Sequence, residues 1–161
     1  MQQAIDIDAL PELSGGASVA ILCSKWYPEI VGSLQAKCEA VLRARGVDRI
    51  VTHTLPGSLE FPYAASEIVE HDPGIDAIIC LGVVLKGDTY HFEMIVDECV
   101  RGLGEVSRAS RVPILNEVLP VTELADAQAR AADDEFNKGI EAAAAAIEMI
   151  HWRRRLADRT T

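Results

Sequence analysis

The amino-acid sequence predicts an α/β protein of three layers, α/β/α, with a four-stranded parallel sheet between helices. Three observations carry this. Short apolar runs alternate with segments whose apolar residues recur every three or four positions. The runs are apolar at successive positions, as in strands covered on both faces. Glycine and proline punctuate the joins. No repeat and no linker interrupts the alternation. The 161 residues are therefore expected to form a single domain, with residues 1–16 as an N-terminal extension.

In the extension, Ile5, Ile7 and Ala9 alternate with Asp6 and Asp8. That is the pattern of an edge strand, which would need a sheet or a partner subunit to lie on. Residues 17–24 read as the first buried strand. Pro28 opens a helix, with Glu29 in its first turn and Ile30, Leu34, Cys38 and Val41 as its apolar stripe. Gly46 ends it. Residues 49–55 read as the second strand. The turn Pro56-Gly57-Ser58 follows, with Ser58 expected to cap a helix that buries Phe61, Ala65, Ile68 and Val69.

Residues 76–84 read as the third strand. A helix over 90–107 carries Phe92, Ile95, Val96, Cys99, Val100 and Leu103 on one stripe. Residues 111–119 read as the fourth strand, with Pro120 expected to stop it. A short helix over 123–132 precedes a long one over 140–157. The five alanines at 142–146 mark a face packed close to its neighbours. The basic end, His151 to Arg155, complements the helix C-terminus.

Composition narrows the function. Hydrophobic residues make up 49%, and no apolar run reaches the length of a membrane span. The N-terminus lacks the basic and apolar regions of a signal peptide, so a cytoplasmic protein is expected. The four cysteines show no CxxC pair and no metal-ligand spacing. A net charge of −10 argues against a nucleic-acid surface. An anionic substrate must be drawn by local cations rather than by the overall field.

The most informative stretch runs from Gly82 to Phe92, where a strand hands over to a helix. Parallel α/β proteins bind ligands at such junctions. Unpaired N–H groups there favour an anion. Thr89 adds a hydroxyl, Lys86 a charge, and His91 a group that moves protons near neutral pH. The plainer reading is a capped helix with a surface histidine. Trp26 lies at a second junction, either as a packing plug or as a stacking platform for a flat ring. The Gly82 to Gly87 spacing is followed by Asp88, not by the Lys-Ser/Thr of a P-loop. Proton-transfer chemistry on a flat heterocycle, with a small phosphorylated partner, is what remains.

Three motifs then make the chain recognisable: Pro56-Gly57-Ser58-Leu59-Glu60-Phe61-Pro62, the Gly82 to Phe92 stretch, and Asn137-Lys138-Gly139-Ile140-Glu141-Ala142-Ala143. In this order and spacing the sequence resembles the 6,7-dimethyl-8-ribityllumazine synthase family of riboflavin biosynthesis, over about residues 19–150. The resemblance implies a flavodoxin-like sheet. It also implies condensation of 5-amino-6-(D-ribitylamino)uracil with 3,4-dihydroxy-2-butanone 4-phosphate, with no cofactor and no metal.

His91 matches the family's general acid/base. Trp26 takes the place of the aromatic that stacks on the pyrimidine. Ser58, Leu59 and Glu60, with Val83, Val84 and Leu85, match the groups around the ring and ribityl chain. Lys86, Gly87, Asp88 and Thr89 match the phosphate-binding turn. Arg130 matches the phosphate arginine, and Asn116, Arg130 and Lys138 would complete a neighbouring subunit's site. The implied partners are small-molecule substrates, further copies in a homo-oligomer built of pentamers, and riboflavin synthase. Neither nucleic acid nor membrane is implied.

The sequence departs from the family pattern at several points. Lys86 stands where arginine is usual, Asp88 where a small residue is common, and Tyr27 where asparagine often follows the aromatic. Asn116-Glu117 replaces a glycine-containing version. A second reading, a relative that binds a flavin or lumazine for storage or scaffolding, follows if these changes weaken the phosphate site.

Overall fold

The computed structural model describes residues 3–160. Met1 and Gln2 of the N-terminal extension, and Thr161, lie outside the described residues. Four strands form one parallel sheet: β1 (Ser18–Ser24), β2 (Arg49–Leu55), β3 (Ala77–Leu85) and β4 (Ile114–Val121). Their order is β2-β1-β3-β4. Five α-helices accompany them: α1 (Pro28–Ala44), α2 (Phe61–His71), α3 (His91–Ser110), α4 (Leu124–Arg130) and α5 (Lys138–Asp158).

The two-residue period of a strand sorts β1 and β3 onto two cores. Val19, Ile21, Cys23, Ile79 and Leu81 pack with Leu34, Leu42, Ile147 and Ile150 of α1 and α5. Ala20, Leu22, Ile78 and Cys80 pack with Phe61, Cys99 and Leu103 of α2 and α3. All four cysteines are buried as free thiols. Among the described residues, no helix is long and apolar enough to cross a membrane.

The Asn-Lys-Gly motif has a packing reason. Asn137 is buried, and its side-chain oxygen accepts from the Gly139 N–H at 2.8 Å, capping α5. Its amide donates to the Ala132 carbonyl and to Ser33 Oγ. Gly139 lies so close to α1 that a Cβ there would overlap the Leu34 carbonyl. The alanine face continues that approach, with Ala142, Ala143 and Ala146 almost fully enclosed.

Several expectations need correction. Residues 7–9 form a 3-10 turn, not an edge strand. The Asp6 carboxylate accepts from the Asp8 N–H, a local bond that competes with extension. Pro120 does not stop β4 but lies inside it, opposite Val84. Ile78 donates to the Pro113 carbonyl and Lys86 to that of Val121, so the odd-numbered residues of β4 carry the ladder. The missing N–H of Pro120 points away from β3, which an outermost strand tolerates. Ser58 is not the cap of α2: Glu60 holds that position without a side-chain bond, and Ser58 is buried in a 3-10 turn, Ser58–Glu60. Helix α4 is shorter than expected and α3 three residues longer at its end. The basic end of α5 is not wholly solvated. Arg154 donates to the carbonyls of Ser14 and Gly16 and lies 3.9 Å from Asp76.

Candidate functional site

Strands β1, β2 and β3 end on the same side of the sheet, because parallel strands share a direction. Their exits and the start of α3 enclose a cleft of about 550 Å³. Its walls include Trp26, Ser58, Leu59, Glu60, Val83, Val84, Leu85 and His91. Eight of the sequence-predicted site residues are thereby brought together from four parts of the chain.

Each wall has a local cause. After β1, the Ser24 hydroxyl accepts from the Trp26 N–H at 3.2 Å, and Lys25 N–H donates to the Leu55 carbonyl at 3.0 Å. These bonds turn the chain outward and leave Trp26 60% exposed, a ring presented rather than buried. The Lys25 ammonium lies 5.6 Å from its centroid. Tyr27 follows at φ 56°, in the left-handed region. Asparagine, the residue that the family resemblance leads one to expect here, tolerates that region better than tyrosine does.

On the second wall Pro62 sits in the first turn of α2 and holds the helix start, so Glu60 closes the 3-10 turn at its N-terminal end. On the third, Gly82 packs against Ser58, and Val83 to Leu85 carry β3 to the mouth. His91 is the first residue of α3 and is exposed, with Ile95 one turn on along the same wall.

The phosphate-type turn is placed differently from the expectation. Lys86 to Thr89 follow β3 but do not line the cleft, and α3 starts only at His91. Asp88 and Thr89 are exposed. Lys86 does not face Asp88. Its ammonium lies 3.1 Å from Glu93 and 5.7 Å from the Phe92 ring centroid. Glu93 is held below the usual carboxylate range by its own backbone N–H and by Lys86.

Asn116, Arg130 and Lys138 are not brought into the cleft. Asn116 lies within the sheet, opposite Cys80, and its side chain accepts from the Val118 N–H. The segment 116–119 therefore does not form a site mouth in this chain. Arg130 donates to the Asp126 carbonyl at 2.9 Å near the end of α4. Lys138 pairs with Glu141 on the first turns of α5.

Ser24, Lys25, Tyr27, Pro56, Gly57 and Ile95 also line the cleft and are not among the site residues expected from the sequence. Ile95 had a signal, since it is one helical turn from His91. Ser24 had none beyond its place at the end of an apolar run. Among the described residues, no group of three or more His, Cys, Asp or Glu side chains could hold a metal ion. A second groove, about 590 Å³ and mainly apolar, runs beside the outer strand β2 between Val51, Leu55, Tyr63 and Ile68. Of the predicted site residues only Glu60 borders it.

Comparison with known proteins gives the family. Residues 16–154 match the family described as 6,7-dimethyl-8-ribityllumazine synthase. A protein of that name from Xanthobacter autotrophicus is 41% identical over 145 residues, covering 88% of this chain and 87% of that one. Its namesake from Nitrosomonas europaea is 40% identical over 138 residues, covering 84% and 81%. One from Xanthomonas oryzae is 39% identical over 137 residues, covering 84% and 88%. On this likeness, with the parallel sheet consistent with it, the chain belongs to the 6,7-dimethyl-8-ribityllumazine synthase family.

Proposed function

We propose that this chain condenses 5-amino-6-(D-ribitylamino)uracil with 3,4-dihydroxy-2-butanone 4-phosphate to 6,7-dimethyl-8-ribityllumazine, releasing phosphate and water. The observation that carries this is the gathering of an exposed indole, a carboxylate and a histidine around one cleft. Trp26 stacks on the pyrimidine ring. Backbone groups of Leu59 and Val83 to Leu85, with Ser58 and Glu60, take the ring edge and ribityl hydroxyls. His91 moves protons during imine formation, phosphate elimination, ring closure and dehydration. Holding both substrates in one cleft supplies much of the acceleration, because the condensation is bimolecular.

The phosphate is received at the turn Lys86 to Thr89 and by cations of a second copy of the chain. Arg130, Lys138 and Asn116 supply that second half of the site. Two features support an assembly, built of pentamers, in which neighbours share sites. The three residues lie outside this chain's own cleft, and β2 leaves a bare strand edge beside an apolar groove.

Lumazine absorbance, followed with both substrates in the presence and absence of the protein, tests the reading. A large acceleration over the uncatalysed condensation is expected. No acceleration from folded protein that still binds a lumazine or riboflavin would replace catalysis by storage.

A further inference from the structure

We propose that Cys99 and Gly82 are positioning residues for the aminouracil-binding turn: the thiol of one holds the Ser58 carbonyl, and the missing side chain of the other leaves room for the Ser58 hydroxyl, so that the turn Ser58–Glu60 is seated at the wall of the cleft. This rests on the reading of the cleft given above.

Ser58 is only 5% exposed, and its Oγ has no hydrogen-bond partner among the described residues. A buried hydroxyl without a partner is destabilising. Ser58 belongs to the cleft wall, but its hydroxyl is enclosed against Gly82 rather than open to the cleft. The residue is held there from two sides. Below it is Gly82 of β3, where an added Cβ would come within 2.5 Å of Ser58 Oγ and 3.4 Å of the Phe61 ring. Any side chain at residue 82 would push the hydroxyl out of place. Behind it is Cys99, whose Sγ donates to the Ser58 carbonyl at 3.3 Å.

Cys99 lies two turns beyond His91 on α3, with Ile95 between them, so the three share one face. The Cys99 bond therefore fixes the turn that holds one substrate to the helix that carries the proton-moving group. Burial pushes the thiol up to about 11, so it remains an S–H donor at neutral pH. Its 1% exposure keeps it away from oxidants.

Steady-state kinetics with each substrate varied in turn, alongside thermal midpoints, test the role. Cys99→Ala is expected to raise KM for the aminouracil about fivefold, the value of one modest hydrogen bond. KM for the butanone phosphate should stay unchanged. Cys99→Ser, which keeps a donor, should restore the aminouracil KM. Gly82→Ala should raise that KM further and lower the midpoint. Adding Ser58→Ala to Gly82→Ala should recover the midpoint and the aminouracil KM, because the clashing oxygen is gone.

An unchanged aminouracil KM in Cys99→Ala would overturn the proposal while leaving the catalytic reading intact. Equal rises in both KM values, or no rescue by serine, would reduce Cys99 to general packing and overturn it too. Wild-type protein that makes no lumazine would remove the catalytic reading itself, and the positioning role with it.

Discussion

The cleft and the α4–α5 region hold their functional groups in opposite ways. In the cleft, Trp26 and His91 are exposed. In the α4–α5 region the cations expected at the site, Arg130 and Lys138, already lie beside acids, and so does Lys37 of α1, which faces the loop between α4 and α5. Arg130 lies beside Asp126, Lys138 beside Glu141, and Lys37 beside Asp133. Exposed groups around a concave space are poised for a ligand. Paired cations are not, until something displaces the acids. On the proposed reading, the contrast teaches that the ring-binding half site would lie within one copy of the chain, whereas a phosphate half site would require Arg130 and Lys138 to exchange partners.

The strongest way to break this comparison is to remove the proton-moving group from the cleft. His91→Ala should lower kcat about 100-fold, the usual contribution of a positioned acid/base. The side chain is exposed at the first position of α3, so the thermal midpoint should hardly move. Parallel measurement of turnover and melting checks this. Unchanged turnover would take His91 out of the chemistry.

The second way targets the other region. Arg130→Ala should raise KM for the phosphorylated butanone about tenfold and spare KM for the aminouracil. A charge-assisted hydrogen bond of this kind is worth roughly 1.5–3 kcal/mol. Mixed assemblies sharpen the result. In a random equal mixture of Arg130→Ala and His91→Ala chains, about a quarter of the sites would hold both intact residues if neighbours share a site. Recovery of that fraction is expected after proven subunit exchange. No recovery would place both residues within one chain's site.

How much of this was legible in the sequence follows from the same contrast. The strands, their parallel pairing and the two cores were readable, because burial on both faces writes long apolar runs into β1 and β3. Residues at strand exits were readable too, since α/β folds place ligands there. Pro120 misled because a proline in an outermost strand and one that ends a strand look alike until the register is known. Ser58 misled because a serine before a helix has a default role as a cap, whereas here a 3-10 turn intervenes and Glu60 occupies the cap position of α2. The Asp6 turn was hidden because alternation with aspartate fits both an edge strand and a locally bonded turn. Lys86 kept its charge but spent it on Glu93, in the first turn of α3, a pairing that no loop spacing announces.

The smallest expected effect concerns Glu117, which marks the α4–α5 region as acidic. Its strand position, opposite Leu81, turns it toward the α1 and α5 side of the sheet. Burial, reinforced by Glu141 and partly offset by Lys138, raises its carboxyl from the usual range to about 7. The Cys38 thiol of α1 also feels its charge. In the unfolded chain the same group titrates near 4.3. Between those values the folded protein holds a proton that the unfolded chain has released. Stability therefore falls as pH rises from about 4.5 to about 7 and levels off above that. Glu117→Gln removes the titration. The variant should be more stable than the parent at pH 8 by about 1–2 kcal/mol, less than the full shift because the carboxylate is only partly enclosed. At pH 4 the two should be alike. Urea midpoints at the two pH values measure the difference. A constant difference would show that packing, not charge, sets it. A parent that gains stability toward pH 8 relative to Glu117→Gln would mean that the negative charge is welcome there, held by Lys138 more firmly than burial opposes it.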